Sequence, residues 1–220
     1  MKTRVNIGCG ATPIQGWLNF DNSIAIKLAN SPCLYFIAKF LKLLNKSQIH
    51  NVEWNKKNNI SYVDATKKIP LEKDSVECIY TSHMLEHLSR DGVSNFLKES
   101  LRVLELNGVL RVAVPNLRIA INNYLINENA DDFMREILVQ APPINTFPEK
   151  LHLFITGYRH HQWMYDDNSL CLLLKSFGFR NVKVYKEGET QIKNHESLNL
   201  YERSEDSVYV CLLYTSPSPR

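Results

Sequence analysis

The sequence predicts an α/β fold: a mostly parallel sheet, covered on both faces, with one antiparallel strand at its edge. Three observations lead there. Seven short apolar runs rich in β-branched residues recur along the chain. Amphipathic helical patterns fall between several of them, which implies parallel strands joined by crossovers. The last two runs are linked instead by a long polar segment, which suits an antiparallel pair. With 220 residues, 44% of them hydrophobic, the chain is long enough to bury a core on both faces of such a sheet.

In order, the strand-like runs are residues 4–7, 17–20, 60–63, 76–81, 109–114, 182–185 and 208–214. Val93, Phe96, Leu97, Leu101 and Leu104 share one helical face, and Asn107-Gly108 reads as the cap that ends that helix. A second helix is expected over 167–177, opened by Asp166 or Asp167 and stopped by Gly178. Within 24–50, Leu34, Ile37, Ala38, Leu41 and Leu44 fall on one side of a helical wheel and Lys39, Lys42 and Lys46 on another. This basic amphipathic helix is expected to pack on the sheet or to form a lid over the site, with contact to a membrane surface as the rival reading. Residues 1–214 are read as one domain. The tail Thr215-Ser216-Pro217-Ser218-Pro219-Arg220 cannot extend a strand and reads as a non-native extension.

Composition narrows the function. A net charge of +3, from 26 basic and 23 acidic side chains, falls short of the clustered basic stripe that a nucleic-acid backbone needs. The five cysteines are scattered, with no C-x-x-C pair, so neither a disulfide framework nor a zinc knuckle is legible. No signal-peptide pattern precedes the first strand and no stretch is clean enough to span a bilayer, so a cytoplasmic location is expected.

The strongest chemical signal comes first. Val5-Asn6-Ile7 runs straight into Gly8-Cys9-Gly10, and the next strand ends in Asp21. Glycines there let the backbone approach a ligand, and an acid at the end of the following strand can accept both hydroxyls of an unphosphorylated ribose. The third glycine of a dinucleotide fingerprint would fall at Pro13, which argues against NAD and for a phosphate-free nucleoside such as S-adenosylmethionine. The link from Gly10 to Trp17 is short for a parallel crossover.

These residues open an ordered series. Gly16-Trp17-Leu18-Asn19-Phe20-Asp21, Asp64-Ala65-Thr66, Ser82-His83-Met84-Leu85-Glu86-His87-Leu88, Val112-Ala113-Val114-Pro115-Asn116 and His161-Gln162-Trp163-Met164-Tyr165-Asp166 follow in turn. In this the chain resembles the class I S-adenosylmethionine-dependent methyltransferases, in particular a small bacterial group related to methyltransferase type 11, over nearly its whole length. The resemblance implies a Rossmann-like seven-stranded methyltransferase fold with sheet order 3-2-1-4-5-7-6. It implies that Gly8 and Gly10, with Asn6 and Cys9 beside them, line the methionine and ribose of the cofactor, and that Asp21 binds the ribose hydroxyls. Asp64, with Ala65, would face the adenine, and Ser82 and His83 would close the pocket. Cys9 also reads as a small packing residue.

A competing motif overlaps the series. His83-Met84-Leu85-Glu86-His87 matches H-x-x-E-H, a zinc signature in which two histidines share a helix face. It follows directly on a strand and lacks an evident third ligand, so no metal is expected. For methyl transfer, His83, His87 and His161 are the candidate bases, His83 first by position. The cluster His160, His161, Trp163 and Tyr165 fits substrate contact and core packing equally. The expected acceptor is a small molecule, a saccharide hydroxyl for preference. A noncatalytic S-adenosylmethionine-binding module and a zinc hydrolase remain the alternatives.

Overall fold

The computed structural model describes residues 2–139 and 160–214; the tail at 215–220 lies outside them. One seven-stranded sheet organises the described residues, in the order β3-β2-β1-β4-β5-β7-β6. Its strands are β1 (Thr3–Ile7), β2 (Leu18–Asp21), β3 (Ser61–Tyr62), β4 (Val76–Ser82), β5 (Leu104–Pro115), β6 (Arg180–Tyr185) and β7 (Ser207–Leu213). Neighbours from β3 through β5 pair parallel. β7 runs antiparallel to both β5 and β6, so the antiparallel strand stands one place in and β6 forms the edge itself.

Side chains alternate across the central strands, so each strand serves two cores. On one face Val5, Ile7, Ile79, Leu110 and Val112 meet Val93, Phe96 and Leu97 of α4 (Arg90–Val103) and Leu170 and Leu174 of a helix at Asp167–Ser176. On the other, Cys78 and Tyr80 meet Ile14, Trp17, Ile192, Leu198 and Leu200, all from non-helical chain. Over Cys78 and Tyr80 that face is thus covered by loops.

Two buried asparagines answer the short connection between β1 and β2. Asn19 accepts from the Ile14 N–H at 2.8 Å and donates to the carbonyls of Ile14 and Trp17 at 3.0 and 3.1 Å. Asn6 donates to Thr12 O and to Asn19 Oδ1. Side-chain amides thus satisfy backbone groups that a crossover helix would satisfy itself, and the link stays buried under the sheet by Ile14 and Trp17.

Two expectations need correction. The segment 24–46 is not one helix: α1 (Ile24–Ala29), α2 (Pro32–Phe40) and α3 (Lys46–Lys57) divide it. Pro32 can open a helix but not continue one, and the Asn45–Gln48 capping box starts the third afresh. α2 does not pack on the sheet either. None of its residues is buried, and Phe36 and Phe40 are 70% and 76% exposed. Asn107-Gly108 is likewise no helix cap, because α4 passes directly into β5 at Leu104 and the pair lies within that strand. Asn107 takes a φ of 63° there, and a Cβ on Gly108 would come within 2.8 Å of the Glu105 carbonyl, so the two residues form an irregularity where β4 and β5 shift register.

Further helices follow β5. α5 (Leu117–Asn127) and α6 (Ala130–Glu136) pack on each other through Tyr124 and Phe133. The Asp167–Ser176 helix, α7, has its expected N-cap at Asp166, which accepts from the Ser169 N–H at 2.7 Å. No helix among the described residues is long and apolar enough to cross a membrane.

Candidate active site

The carboxyl ends of β1, β2 and β4 open onto a cavity of about 790 Å³. β1 delivers Gly8 and Gly10, with φ of 71° and 49°. A Cβ at Gly8 would sit 2.8 Å from Met84 Cγ, so glycine is what lets the loop after β1 touch the loop after β4. At Gly10 a Cβ would meet nothing, because that position faces open space. The Gly10 N–H donates to Asp21 Oδ2 at 2.9 Å and the Ser23 N–H to Oδ1 at 2.8 Å. Asp21 is thereby held at the cavity wall, each oxygen keeping further acceptor capacity.

Gly8, Gly10, Asp21, Ala65, His83, His87 and His161 all line this cavity. Asn6, Cys9, Asp64 and Ser82 are not among its lining residues. Asn6 braces the link to β2. Cys9 packs with Ile26 and Ile60, and burial pushes its thiol up to about 12. Asp64 caps its own turn, accepting from the Thr66 N–H and Oγ1 at 3.2 and 2.6 Å and pairing with Lys67 at 3.2 Å. Burial would raise its pKa, but these partners outweigh burial and hold it below the ordinary carboxylate range.

The His83–His87 motif does not form an α-helix. His83 has a φ of 51° and only Leu85–His87 make a single 3-10 turn, so the two histidines do not share a helix face. Both ring nitrogens of His83 are engaged: Nε2 lies 2.9 Å from Ser207 Oγ, and Nδ1 receives Arg203 Nη1 at 3.1 Å and lies 3.3 Å from Glu86 Oε1. His87 is held through Nδ1, which lies 3.1 Å from the His160 carbonyl, while Nε2 lies 3.8 Å from Glu86 Oε1. His161 stands beside it, ring centroids 5.1 Å apart. Burial pushes the His161 pKa down, with Glu86 opposing the shift. Of the aromatic residues after it, Tyr165 is core and accepts from Arg90, whereas Trp163 is 47% exposed and stacks on that same guanidinium.

Arg203, Gln162 and Leu138 also line the cavity, unforeseen from sequence. Arg203 arrives from the long segment between β6 and β7, and no motif marks it. Glu86 is the acid of the H-x-x-E-H match, but nothing in the sequence marks it as buried; it is fully buried.

Glycines at the end of β1, an acid at the end of β2 and a cavity at the carboxyl edge of this sheet define a nucleoside-binding α/β enzyme of the methyltransferase type. The methyltransferase-domain family model matches residues 5–112 of the chain. The chain is a methyltransferase whose methyl donor is S-adenosylmethionine. Solved structures similar in fold include S-adenosylmethionine-dependent methyltransferases of Methanosarcina mazei and Archaeoglobus fulgidus. The first has a TM-score of 0.52 at 14% identity, over 97% of this chain and 92% of that one. The second has a TM-score of 0.51 at 14% identity, over 97% and 86%. No curated protein matches the sequence.

Proposed function

We propose that the chain methylates a hydroxyl of a small molecule, a saccharide being the preferred class, with the acceptor held at the histidine end of the cavity and the donor at the Asp21 end. The observation that carries this reading is Asp21, whose carboxylate is fixed by two backbone N–H groups on the wall of a cavity shared with His83, His87 and His161. The open space at Gly10 and the uncommitted acceptor capacity of Asp21 fit the ribose of S-adenosylmethionine. Gly8 and Ala65 stand on the same wall and suit its methionine and adenine portions.

The sulfonium supplies an activated methyl group, so the chain's own task is alignment and exclusion of water. Met84 and Leu88 give the cavity apolar wall. His87 and His161 offer hydrogen bonds to an acceptor hydroxyl, and the lowered pKa of His161 keeps that ring neutral at pH 7.

Calorimetric titration tests the donor half. S-adenosylmethionine and its demethylated product are expected to bind the wild-type chain, and Asp21→Ala is expected to weaken both by at least tenfold. Unchanged affinity in a folded Asp21→Ala variant would remove Asp21 from the donor site. Transfer of label from methyl-labelled donor to a panel of saccharides and other hydroxyl compounds tests the acceptor half.

A further inference from the structure

Glu86 is the least accommodated charged group near the cavity. Its residue is 0% exposed, and neither carboxylate oxygen takes a hydrogen bond among the described residues. A buried carboxylate without donors is costly, and such groups are paired or bound to cations. The imidazole nitrogens beside it are His83 Nδ1 at 3.3 Å and His87 Nε2 at 3.8 Å.

We propose that Glu86, His87 and His161 form a divalent-cation site at the histidine end of the cavity. One ligand atom from each of the three lies within 4.8 Å of the other two. Ligands on one ion at about 2.1 Å stand roughly 3–3.5 Å apart, so side-chain rotations of about an ångström close the set. His87 is already oriented for it: a proton on Nδ1 directed at the His160 carbonyl leaves the Nε2 lone pair facing Glu86, the outer-shell arrangement that fixes a ligating histidine.

The supporting shell joins the two segments involved. The N–H groups of Gln162 and Trp163 donate to the Glu86 carbonyl at 2.7 and 3.2 Å, and Gln162 Nε2 donates to the His87 carbonyl at 2.8 Å. These bonds pin His161 beside the 3-10 turn. Two imidazoles and one carboxylate suit borderline cations such as Zn²⁺, Co²⁺ or Mn²⁺, and three protein ligands leave further positions free. Because His87 and His161 line the cavity, those positions open toward an oxygen-bearing acceptor. That last step rests on the methyl-transfer reading; cation binding does not.

The test is titration of Co²⁺, Zn²⁺ and Mn²⁺ into the full chain, free of any histidine tag and stripped with chelator, in the absence of donor. The expected result is one equivalent of at least one cation, with Co²⁺ giving a ligand-field spectrum. Glu86→Gln and His161→Gln should each weaken binding by at least tenfold, and His195→Gln should not. Because substitution of buried Glu86 endangers the fold, ring NMR resonances of the wild type provide a second readout. Zn²⁺ should shift those of His87 and His161 and leave His50 and His195 unmoved. No stoichiometric binding by folded wild type, or shifts confined to other histidines, would overturn the site. S-adenosylmethionine titration of the same sample is scored separately, so loss of the cation reading leaves the donor reading standing.

Discussion

Gly8 illustrates how one position can be legible in sequence for one reason and indispensable in structure for two. The sequence marks it as a place where a ligand meets backbone. In the fold its φ of 71° lies in the left-handed region, and its missing Cβ makes room for the base of the Met84 side chain. Gly8→Ala is therefore expected to cost about 1–3 kcal/mol in urea denaturation, from backbone strain and displacement of Met84 together. Gly10→Ala meets no atom, so its cost is strain alone, and its larger effect should be on donor affinity. The place of Asp21 at a strand end and on the cavity wall was legible in the sequence. The turn contacts of Asp64 with Thr66 and Lys67 were not, since no local pattern in the sequence marks them.

Elements were legible where periodicity and burial agree. The α4 pattern of Val93, Phe96 and Leu97 reads as a core face and is one. The 24–46 pattern is as amphipathic on paper, yet Pro32 and Asn45 divide it and α2 leaves its apolar side exposed, because the wheel alone does not say whether a partner surface exists. The contrast gives a paired prediction. Phe96→Ala should destabilise by about 3–5 kcal/mol, whereas Phe36→Ser should change stability by no more than about 0.5 kcal/mol. Thermal or chemical denaturation of the two variants side by side checks it. The β1–β2 link makes the complementary case: nothing in Asn19 reads as structural, yet its amide makes four hydrogen bonds. Asn19→Ala is expected to cost about 2–4 kcal/mol, because backbone groups of Ile14 and Trp17 lose buried partners.

At the scale of the molecule, strand order came from the ordered series of motifs and not from periodicity, which says that strands alternate with helices but not which neighbours pair. What neither source foretold is that the polar segment between β6 and β7 serves as a wall. It lays Ile192, Leu198 and Leu200 on the sheet over Cys78 and Tyr80, and it receives hydrogen bonds from Arg4 and Trp17. It also carries Arg203 to His83. Its polar composition hides this, since a few apolar side chains and backbone carbonyls do the anchoring. The segment buries fewer apolar side chains against the sheet than α4, and local opening should precede global unfolding. Leu198→Ala tests that coupling. Amide exchange across residues 186–206 should rise by at least tenfold while β1, β4 and β5 keep their protection, and affinity for ligands in the cavity should fall as Arg203 loses its fixed position. If exchange rises equally across the sheet, the segment is part of one cooperative core, and its effect on the site is inseparable from stability.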